Sequence, residues 1–458
     1  MRVLGNLWLA IVCTAFCVFA GAGRATATDV PAKPLDDGRE HLGVASCGGT
    51  TCHSRQAPTG AKIRQNEIIT WQDQSSVTGA HARAYRVLMT PQSQAIARHL
   101  GIGPAEEAAG CLSCHAHNIP ETQQGLQFNL AEGVTCEACH GGAGDWLSTH
   151  YATGATHAQN VENGLYPVSD ITARASLCLD CHFGSDRPDQ FVTHRIMGAG
   201  HPRISFELDL FTALQQHHDE DTDYQTRKDV AGGIKTWAIG QAMAMERSAA
   251  LLAEDDIAQD GLFPELYFFD CHACHKPISN DPKAFASWRP NPARPLGPGV
   301  PVYNDANLIM LKAAVAEIAP SKSGALQKIN AQLHAGTRVG RWSTKQGAEG
   351  LMAYGAEMRS VFEGATFDKE TSLGILNRIL NSTVSREYTN YAAGEQAVIA
   401  VDTFLNAMVA QDFISEAAAT AIAPALARAK GAVESPNQYD PGALRASLNQ
   451  IAARVRAL

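Results

Sequence analysis

The spacing of apolar residues divides the chain into a weakly patterned part and a strongly helical part. From Asp305 onward, apolar side chains recur every three or four positions, which places them along one face of an α-helix. A long helix with the same spacing, interrupted at Gln241, is predicted before Cys271. We interpret the C-terminal stripes as the core of an all-helical bundle. The periodic segments begin at Val230, Leu308, Leu351, Leu373, Val398 and Leu444.

The sequence before the bundle predicts short helices and irregular loops. Residues 28–289 contain no other long periodic segment than the helix before Cys271. Five prolines follow within residues 290–304, a composition typical of an extended linker. The pattern predicts a mainly α protein with few strands: a first domain at 28–289, a proline-rich linker at 290–304, and a helical bundle without cofactor at 305–458.

Residues 1–27 have the pattern of a secretory signal peptide. Arg2 precedes an apolar run from Val3 to Ala20, and Ala25-Thr26-Ala27 supplies the small residues that signal peptidase prefers. Cleavage after Ala27 would deliver the protein to the periplasm and remove Cys13 and Cys17. An uncleaved membrane anchor is the alternative interpretation. No later stretch is apolar for long enough to span a bilayer, so the mature chain is expected to be soluble.

Composition and charge narrow the class of protein. Of 458 residues, 45% are hydrophobic and 18% are charged, which excludes a wholly disordered, collagen-like or coiled-coil protein. The formal net charge is −9, so nucleic acid is excluded as an expected partner because both would be negatively charged.

The cysteines carry the candidate chemistry. Without Cys13 and Cys17, the remaining ten of the twelve form five pairs, and a histidine follows each pair. Four pairs have the C-x-x-C-H spacing of c-type haem attachment, in which two thiols form thioethers to the porphyrin and the histidine ligates the iron. The five motifs are Cys47–Cys52–His53, Cys111–Cys114–His115, Cys136–Cys139–His140, Cys178–Cys181–His182 and Cys271–Cys274–His275.

Disulfides and zinc sites are the alternatives for such cysteines. Exported proteins favour disulfides, and paired cysteines hold zinc, but neither requires a histidine directly after every pair. The first motif has four residues between its cysteines rather than two, and Gly48-Gly49 gives that loop the freedom to reach both attachment points. Five haem c groups are therefore predicted. At Cys47 and Cys52 a disulfide beside a free His53 stays open as the alternative.

Distal ligands must come from the other histidines. With His53, His115, His140, His182 and His275 as proximal ligands, twelve of the seventeen histidines remain. His81 follows Trp71 and begins a helical stretch, and His150 lies ten residues after His140, with His157 as its competitor. His194 and His201 flank a glycine-rich loop that permits close approach to a macrocycle. The predicted distal ligands are His81, His150, His194, His201 and His218.

The other candidates are assigned lesser roles. His217 competes with His218, and both precede an acidic stretch that suggests a solvated turn. Met197 is a candidate thioether ligand, although a single methionine is more often part of the packing. The remaining histidines are predicted to be propionate or surface partners (His99, His117 and His272) or ordinary residues (His41 and His334).

The order of these motifs resembles the cytochrome c-554 family of multihaem cytochromes. The resemblance rests on the first motif followed by Trp71 and His81-Ala-Arg-Ala, the second motif, Gly133-Val-Thr-Cys136-Glu-Ala-Cys139-His140-Gly, and the fourth motif, and it covers about residues 42–201. It implies a mainly helical fold with closely stacked haems, mostly bis-histidine iron, and electron transfer along the haem chain. The widened first motif, the fifth motif and the region after Asp305 depart from that pattern.

Electron transfer is the function that these features favour. The expected protein is a soluble periplasmic pentahaem c-type cytochrome that exchanges electrons with redox protein donors and acceptors. The alternative is an oxidoreductase that acts on a small nitrogen or sulfur compound at one open haem. A third interpretation makes the C-terminal bundle a docking or dimerisation module of a larger redox complex.

Overall fold

The protein is mainly α, as predicted. In the part of the chain that the structure describes, helices dominate, no strand forms, and two isolated bridges join His41 to Gln124 and Phe269 to Tyr303. The computed structural model describes residues 32–56, 65–218, 230–259, 263–275, 294, 296–297, 300–381, 388 and 390–458.

The helices of the first region are mostly one to three turns long, and polar caps fix several of their starts. Thr90 accepts a hydrogen bond from the Ser93 amide and Asp170 one from the Ala173 amide, which satisfies amides that no helical carbonyl reaches. The helices are α1 Val44–Cys47, α2 Glu67–Trp71, α3 Ala84–Leu88, α4 Pro91–Leu100, α5 Ala109–His115, α6 Glu137–His140, α7 Leu147–His150, α8 His157–Glu162, α9 Ile171–His182, α10 His194–Gly198 and α11 Leu208–Leu214.

The helices of the second region are longer and carry the apolar stripes seen in the sequence. The helix predicted before Cys271 begins at Gly233, three residues later than the periodicity suggested, and the short α13 follows it. The helices are α12 Gly233–Ala253, α13 Cys271–Cys274, α14 Ala306–Ile318, α15 Ser323–Val339, α16 Arg341–Gly364, α17 Lys369–Leu380, α18 Tyr391–Ala410, α19 Glu416–Ala432 and α20 Pro441–Val455.

Helix α12 packs directly against the C-terminal helices. Its Trp237 is fully buried, with its ring centre 4.9 Å from that of Phe404 on α18. Gly355 on α16 allows close contact, because a Cβ there would lie 2.9 Å from the Cβ of Glu246. The interruption at Gln241 also has a structural reason. Its side chain accepts a hydrogen bond from Asn307 at 2.9 Å, which joins α12 to α14.

One hydrophobic core runs across the predicted domain boundary. It contains buried residues from Ile171 to Val455, and residues 31–458 form a single compact unit. Seven of the fifteen residues 290–304 lie outside the described residues, and the linker and the division at that point stay predictions. The shared core means that α9 and α12, although they precede the boundary, are packed as members of the second region.

None of the helices that the structure describes is long and apolar enough to cross a membrane. The predicted signal peptide lies outside the described residues and remains a prediction.

Candidate functional site

Four of the five cysteine motifs lie on or at the end of a short helical turn. Helices α5, α6 and α9 each end at the histidine of their motif, and α13 ends one residue before His275. Positions three and four apart lie on one face of a helix, so each C-x-x-C-H presents two thiols and an imidazole on the same side. None of the ten described cysteines forms a disulfide.

The widened first motif closes into a compact loop. Gly49 has a φ of +132°, which favours glycine, and the His53 amide donates a hydrogen bond to the Cys47 carbonyl at 3.3 Å. The loop thus returns the histidine to the first cysteine, as the helical turn does in the other four motifs. The Nδ1 atom of His53 lies 3.0 Å from an oxygen of Glu67 on α2.

Each motif histidine faces a second histidine. The distances between the ring centres fall in a narrow range, and all five predicted distal residues take part. His140 has two such neighbours. The pairs are His53–His150 at 6.2 Å, His115–His201 at 6.3 Å, His182–His81 at 6.4 Å, His275–His194 at 6.0 Å, and His140 with His217 and His218, each at 6.3 Å.

This separation fits one metal ion between two imidazoles. A metal–nitrogen bond is about 2 Å and the nitrogen lies roughly 1 Å from the ring centre, so two opposed ligands have centres roughly 6 Å apart. The buried pair His41–His117 shows the contrast, since its ring centres are 4.6 Å apart and its rings touch. The spacing therefore separates the five ligand-like sets from an ordinary histidine contact.

Backbone carbonyls hold several of these rings in the orientation that a ligand needs. Nδ1 of His115 lies 3.1 Å from the Ala84 carbonyl, Nδ1 of His201 lies 2.8 Å from that of Pro202, and Nδ1 of His217 lies 2.9 Å from that of Gln215. A ring that donates from Nδ1 keeps Nε2 free for a metal. Phe206 and Phe211 pack on His182, each with a ring-centre distance of 5.0 Å.

Glycine and tryptophan in the most specific sequence motif position His81. Gly133 has a φ of +78°, and a Cβ there would lie 2.5 Å from the His81 carbonyl oxygen. The Val134 amide donates to that same carbonyl at 3.0 Å, while the Trp71 indole donates to the Val134 carbonyl at 3.2 Å. The segment before the third motif thereby holds the histidine that faces the fourth motif.

Burial favours the neutral form of three of these imidazoles and two of the thiols. It lowers the pKa of His140 to about 3 and the pKa of His182 and His217 to about 4, with neighbouring histidines adding to each shift. Neutral imidazole is the form that binds a metal. Burial also raises the pKa of Cys139 to about 11 and that of Cys178 to about 12. These buried thiols are therefore neutral at pH 7, whereas a zinc ligand is a thiolate.

A large cavity connects two of the sites. Its volume is about 1320 Å³, more than the roughly 300–1,000 Å³ of a typical small-molecule site. The cysteines of the second and fourth motifs line it together with both of their histidine pairs. Among the described residues, the one group of three or more potential ligands within metal-binding distance is His140 with His217 and His218, which contains no cysteine. The residues thus fit haem c better than zinc.

The motifs also contact one another. A hydrogen bond donated by the Cys136 thiol lowers the pKa of Cys47, and one donated by the Cys181 thiol lowers the pKa of Cys114. The first motif therefore lies against the third, and the second against the fourth. Glu137, buried inside the third motif, accepts hydrogen bonds from the amides of Leu42 at 2.8 Å and Gly43 at 2.7 Å, which ties the segment before α1 to α6.

Several histidines differ from their predicted environment. His117 is fully buried and hydrogen-bonded to Thr135 at 2.6 Å, so the prediction that it lies at the surface is wrong. Its predicted role as a propionate partner stays a prediction. His217, expected beside a solvated turn, is half-buried against His140. His157 is exposed at the start of α8. Sequence reasoning missed Glu67, because a single acidic residue at a helix start carries no distinguishing signal.

The comparison with known families covers part of this region. Residues 46–141 match a family model described as cytochrome c554 and c-prime, which confirms the resemblance over a segment that holds the first, second and third motifs. The fourth and fifth motifs lie outside the match. No curated protein and no solved structure matches the chain. The matched segment is thus similar to a c-type cytochrome, a class that carries haem c and transfers electrons.

Proposed function

We propose that this chain is a soluble periplasmic pentahaem c-type cytochrome that carries electrons between redox proteins. The observation that carries the proposal is the set of five opposed imidazole pairs, each of which includes the histidine of one cysteine motif. Five motifs with five matching partners are not expected from cysteines that serve disulfides or zinc.

The residues that would hold each haem follow from the pairs. The two cysteines of a motif would form the thioethers, the motif histidine would be the proximal ligand, and its facing partner would be the distal ligand. Haem c supplies reversible one-electron chemistry at each such site. The protein's residues orient the imidazoles, bury them, and exclude water.

The facing histidines favour an electron carrier over an enzyme. An oxidoreductase of a small nitrogen or sulfur compound needs one site without a distal side chain, so that the compound can bind there. Each motif histidine here has a facing histidine, and His140 has two. A pair of protein ligands also keeps the coordination unchanged between oxidation states, which suits rapid electron exchange.

Contacts between the motifs indicate the order of the sites in space. The first motif touches the third through Cys47 and Cys136, and Cys139 of the third adds to the raised pKa of Cys178 in the fourth. The fourth touches the second through Cys181. Helix α10 and the loop after it then hold the partner histidines of the fifth and second motifs. We infer a contiguous row in the order first, third, fourth, second and fifth.

A row of adjacent sites is the arrangement that a protein needs to connect two redox partners at separate surfaces. Redox proteins as donor and acceptor follow from this function. A docking or dimerisation role of the C-terminal helices stays a separate prediction.

Two measurements on the purified protein test the proposal. Mass spectrometry is expected to show five covalent haem groups, and the ferric protein is expected to give a wholly low-spin spectrum. Four haems with a disulfide between Cys47 and Cys52 would reduce the count and remove the first site. A high-spin signal equal to one haem would instead favour the enzyme.

A further inference from the structure

One carboxylate lies between two of the histidine pairs. On α2, Oε2 of Glu67 lies 3.0 Å from Nδ1 of His53, and its Oε1 lies 3.6 Å from Nδ1 of His218. His53 faces His150 in the first site, whereas His218 faces His140 in the third. Glu67 thus touches ligand-position imidazoles that belong to two different motifs.

The two contacts differ in kind. The 3.0 Å contact with His53 is a hydrogen bond, whereas 3.6 Å to His218 is too long for one and only brings the carboxylate close to that ring. The Glu67 side chain is 21% exposed, so solvent screens these contacts only in part. A glutamate side chain is ordinarily ionised at pH 7, so Glu67 places a negative charge beside both rings.

We propose that Glu67 is a positioning residue shared by the first and third haem sites, which orients His53 and His218 and lowers the reduction potential at both. This inference rests on the proposed function, since it takes both imidazole pairs to be haem ligands. The second site gives the comparison, because both of its histidines, His115 and His201, direct Nδ1 to neutral backbone carbonyls instead.

The chemical reason lies in the proton on Nδ1. An imidazole that donates this proton to a carboxylate is a more basic ligand through Nε2 than one that donates to a carbonyl. A more basic ligand and a nearby negative charge both stabilise the ferric state relative to the ferrous state, which lowers the reduction potential. The effect should be larger for His53, because its contact is shorter.

The same carboxylate explains how the third site chooses between two histidines. His217 and His218 are equally far from His140, and Nδ1 of His217 contacts the carbonyl of Gln215. The carboxylate of Glu67 lies 3.6 Å from Nδ1 of His218, so its negative charge would stabilise a ferric iron bound by that ring. Glu67 therefore favours His218 as the ligand of the third site.

The test replaces Glu67 with residues of graded charge and length. Glu67→Gln keeps the size and removes the charge, so two of the five one-electron steps in a spectroelectrochemical titration are expected to shift to more positive potential. The larger shift belongs to the first site, and three steps stay in place. Glu67→Asp keeps the charge but shortens the side chain by one methylene, which moves the carboxylate away from both rings. The reduction potentials are therefore expected to shift in the same direction as in Glu67→Gln, but by less.

Asp73→Asn is the matched control. Asp73 is an exposed carboxylate six residues further along, and its side chain contacts Ser75 at 2.7 and 2.8 Å rather than a histidine. Its removal deletes the same charge without touching a ligand-position ring. His150→Ala marks the step of the first site, and the double variant His217→Ala/His218→Ala marks that of the third, because each turns one haem high-spin.

The outcomes separate this inference from the proposed function. Suppose that the unmodified protein shows five low-spin haems. The shared role of Glu67 is wrong if Glu67→Gln shifts no potential or only one, or if it shifts all five by the same amount as Asp73→Asn. In each of these cases the pentahaem carrier stands. If the unmodified protein lacks the first or third haem, the proposed function fails first and this inference falls with it. Covalent haem count and helix content of each variant confirm that it is folded.

Discussion

The region that carries the motifs and the C-terminal helical region are built on different principles. The C-terminal helices, with α9 and α12, share one extensive hydrophobic core. Residues 32–170, in contrast, bury only two small described clusters, one around Trp71 and one around Leu88. Small apolar clusters cannot offset the entropy of ordering so long a segment. We therefore expect the first region to depend on haem for its stability and the second to depend on its packed side chains.

Protein prepared without haem gives the strongest test of this difference between the two regions. In protein made without haem attachment, amides between α3 and α7 are expected to lose protection from hydrogen exchange by about 100-fold or more, roughly 3 kcal/mol. Amides of α12, α16 and α18 should keep theirs. Hydrogen exchange with mass spectrometry measures both regions at once. Equal loss in both would show that the two regions depend on haem alike.

A core substitution tests the other half of the comparison. Trp237→Ala removes a fully buried indole from the contact between α12 and α18 and is expected to lower the free energy of unfolding by about 3–5 kcal/mol. Trp342→Ala is the control, because that side chain is 71% exposed, and a change within about 0.5 kcal/mol is expected. Thermal denaturation of the haem-loaded protein gives both values. A similar loss in the control would contradict the assignment of the core.

Removing one facing histidine should leave both regions folded. His81→Ala is expected to convert the haem of His182 from low-spin to high-spin and to let cyanide bind, because the thioethers and the proximal ligand do not depend on His81. The optical spectrum of the ferric protein records the change. His99→Ala is the control, since His99 is exposed and its Nδ1 contacts the Ala199 carbonyl at 3.3 Å. A fully low-spin His81→Ala protein would make His81 structural.

The smallest effect is expected where two histidines compete. Because both rings lie 6.3 Å from His140, His218→Ala is expected to stay low-spin with His217 as the substitute ligand, and His217→Ala should leave the spectrum unchanged. The double variant should show one high-spin haem by electron paramagnetic resonance. A high-spin signal in His218→Ala alone would show that His217 cannot reach the iron.

Helical spacing and motif context predicted much of this molecule from the sequence. The periodic segments beginning at Leu308, Leu351 and Val398 became α14, α16 and α18, because burial of an apolar face is a local property that the sequence displays. The mainly α fold is therefore confirmed. The ligand roles of the paired histidines stay predictions, although the structure brings each predicted distal residue opposite a motif histidine.

The pairing could not be predicted, because it is a property of the tertiary fold. Nothing local to His81 indicates that it faces the fourth motif rather than the second, and the contact depends on Gly133 and Val134, about 50 residues further along. The contacts of Glu67 could not be predicted for the same reason. Its two partners, His53 and His218, are far apart in sequence and meet at this carboxylate only in the folded chain.

The separation of the paired histidines has a consequence for how the protein is made. Every pair joins residues about 80 to 100 positions apart, so no site can gain both ligands from one short stretch of chain. Because a chain is synthesised from its N-terminus, His53 is exposed long before His150 is available. A cofactor that is attached early would have only one protein ligand until the next part of the chain is synthesised. The sites of His53, His115 and His140, which precede their partners, are therefore expected to be more open to small molecules during biogenesis than in the mature protein.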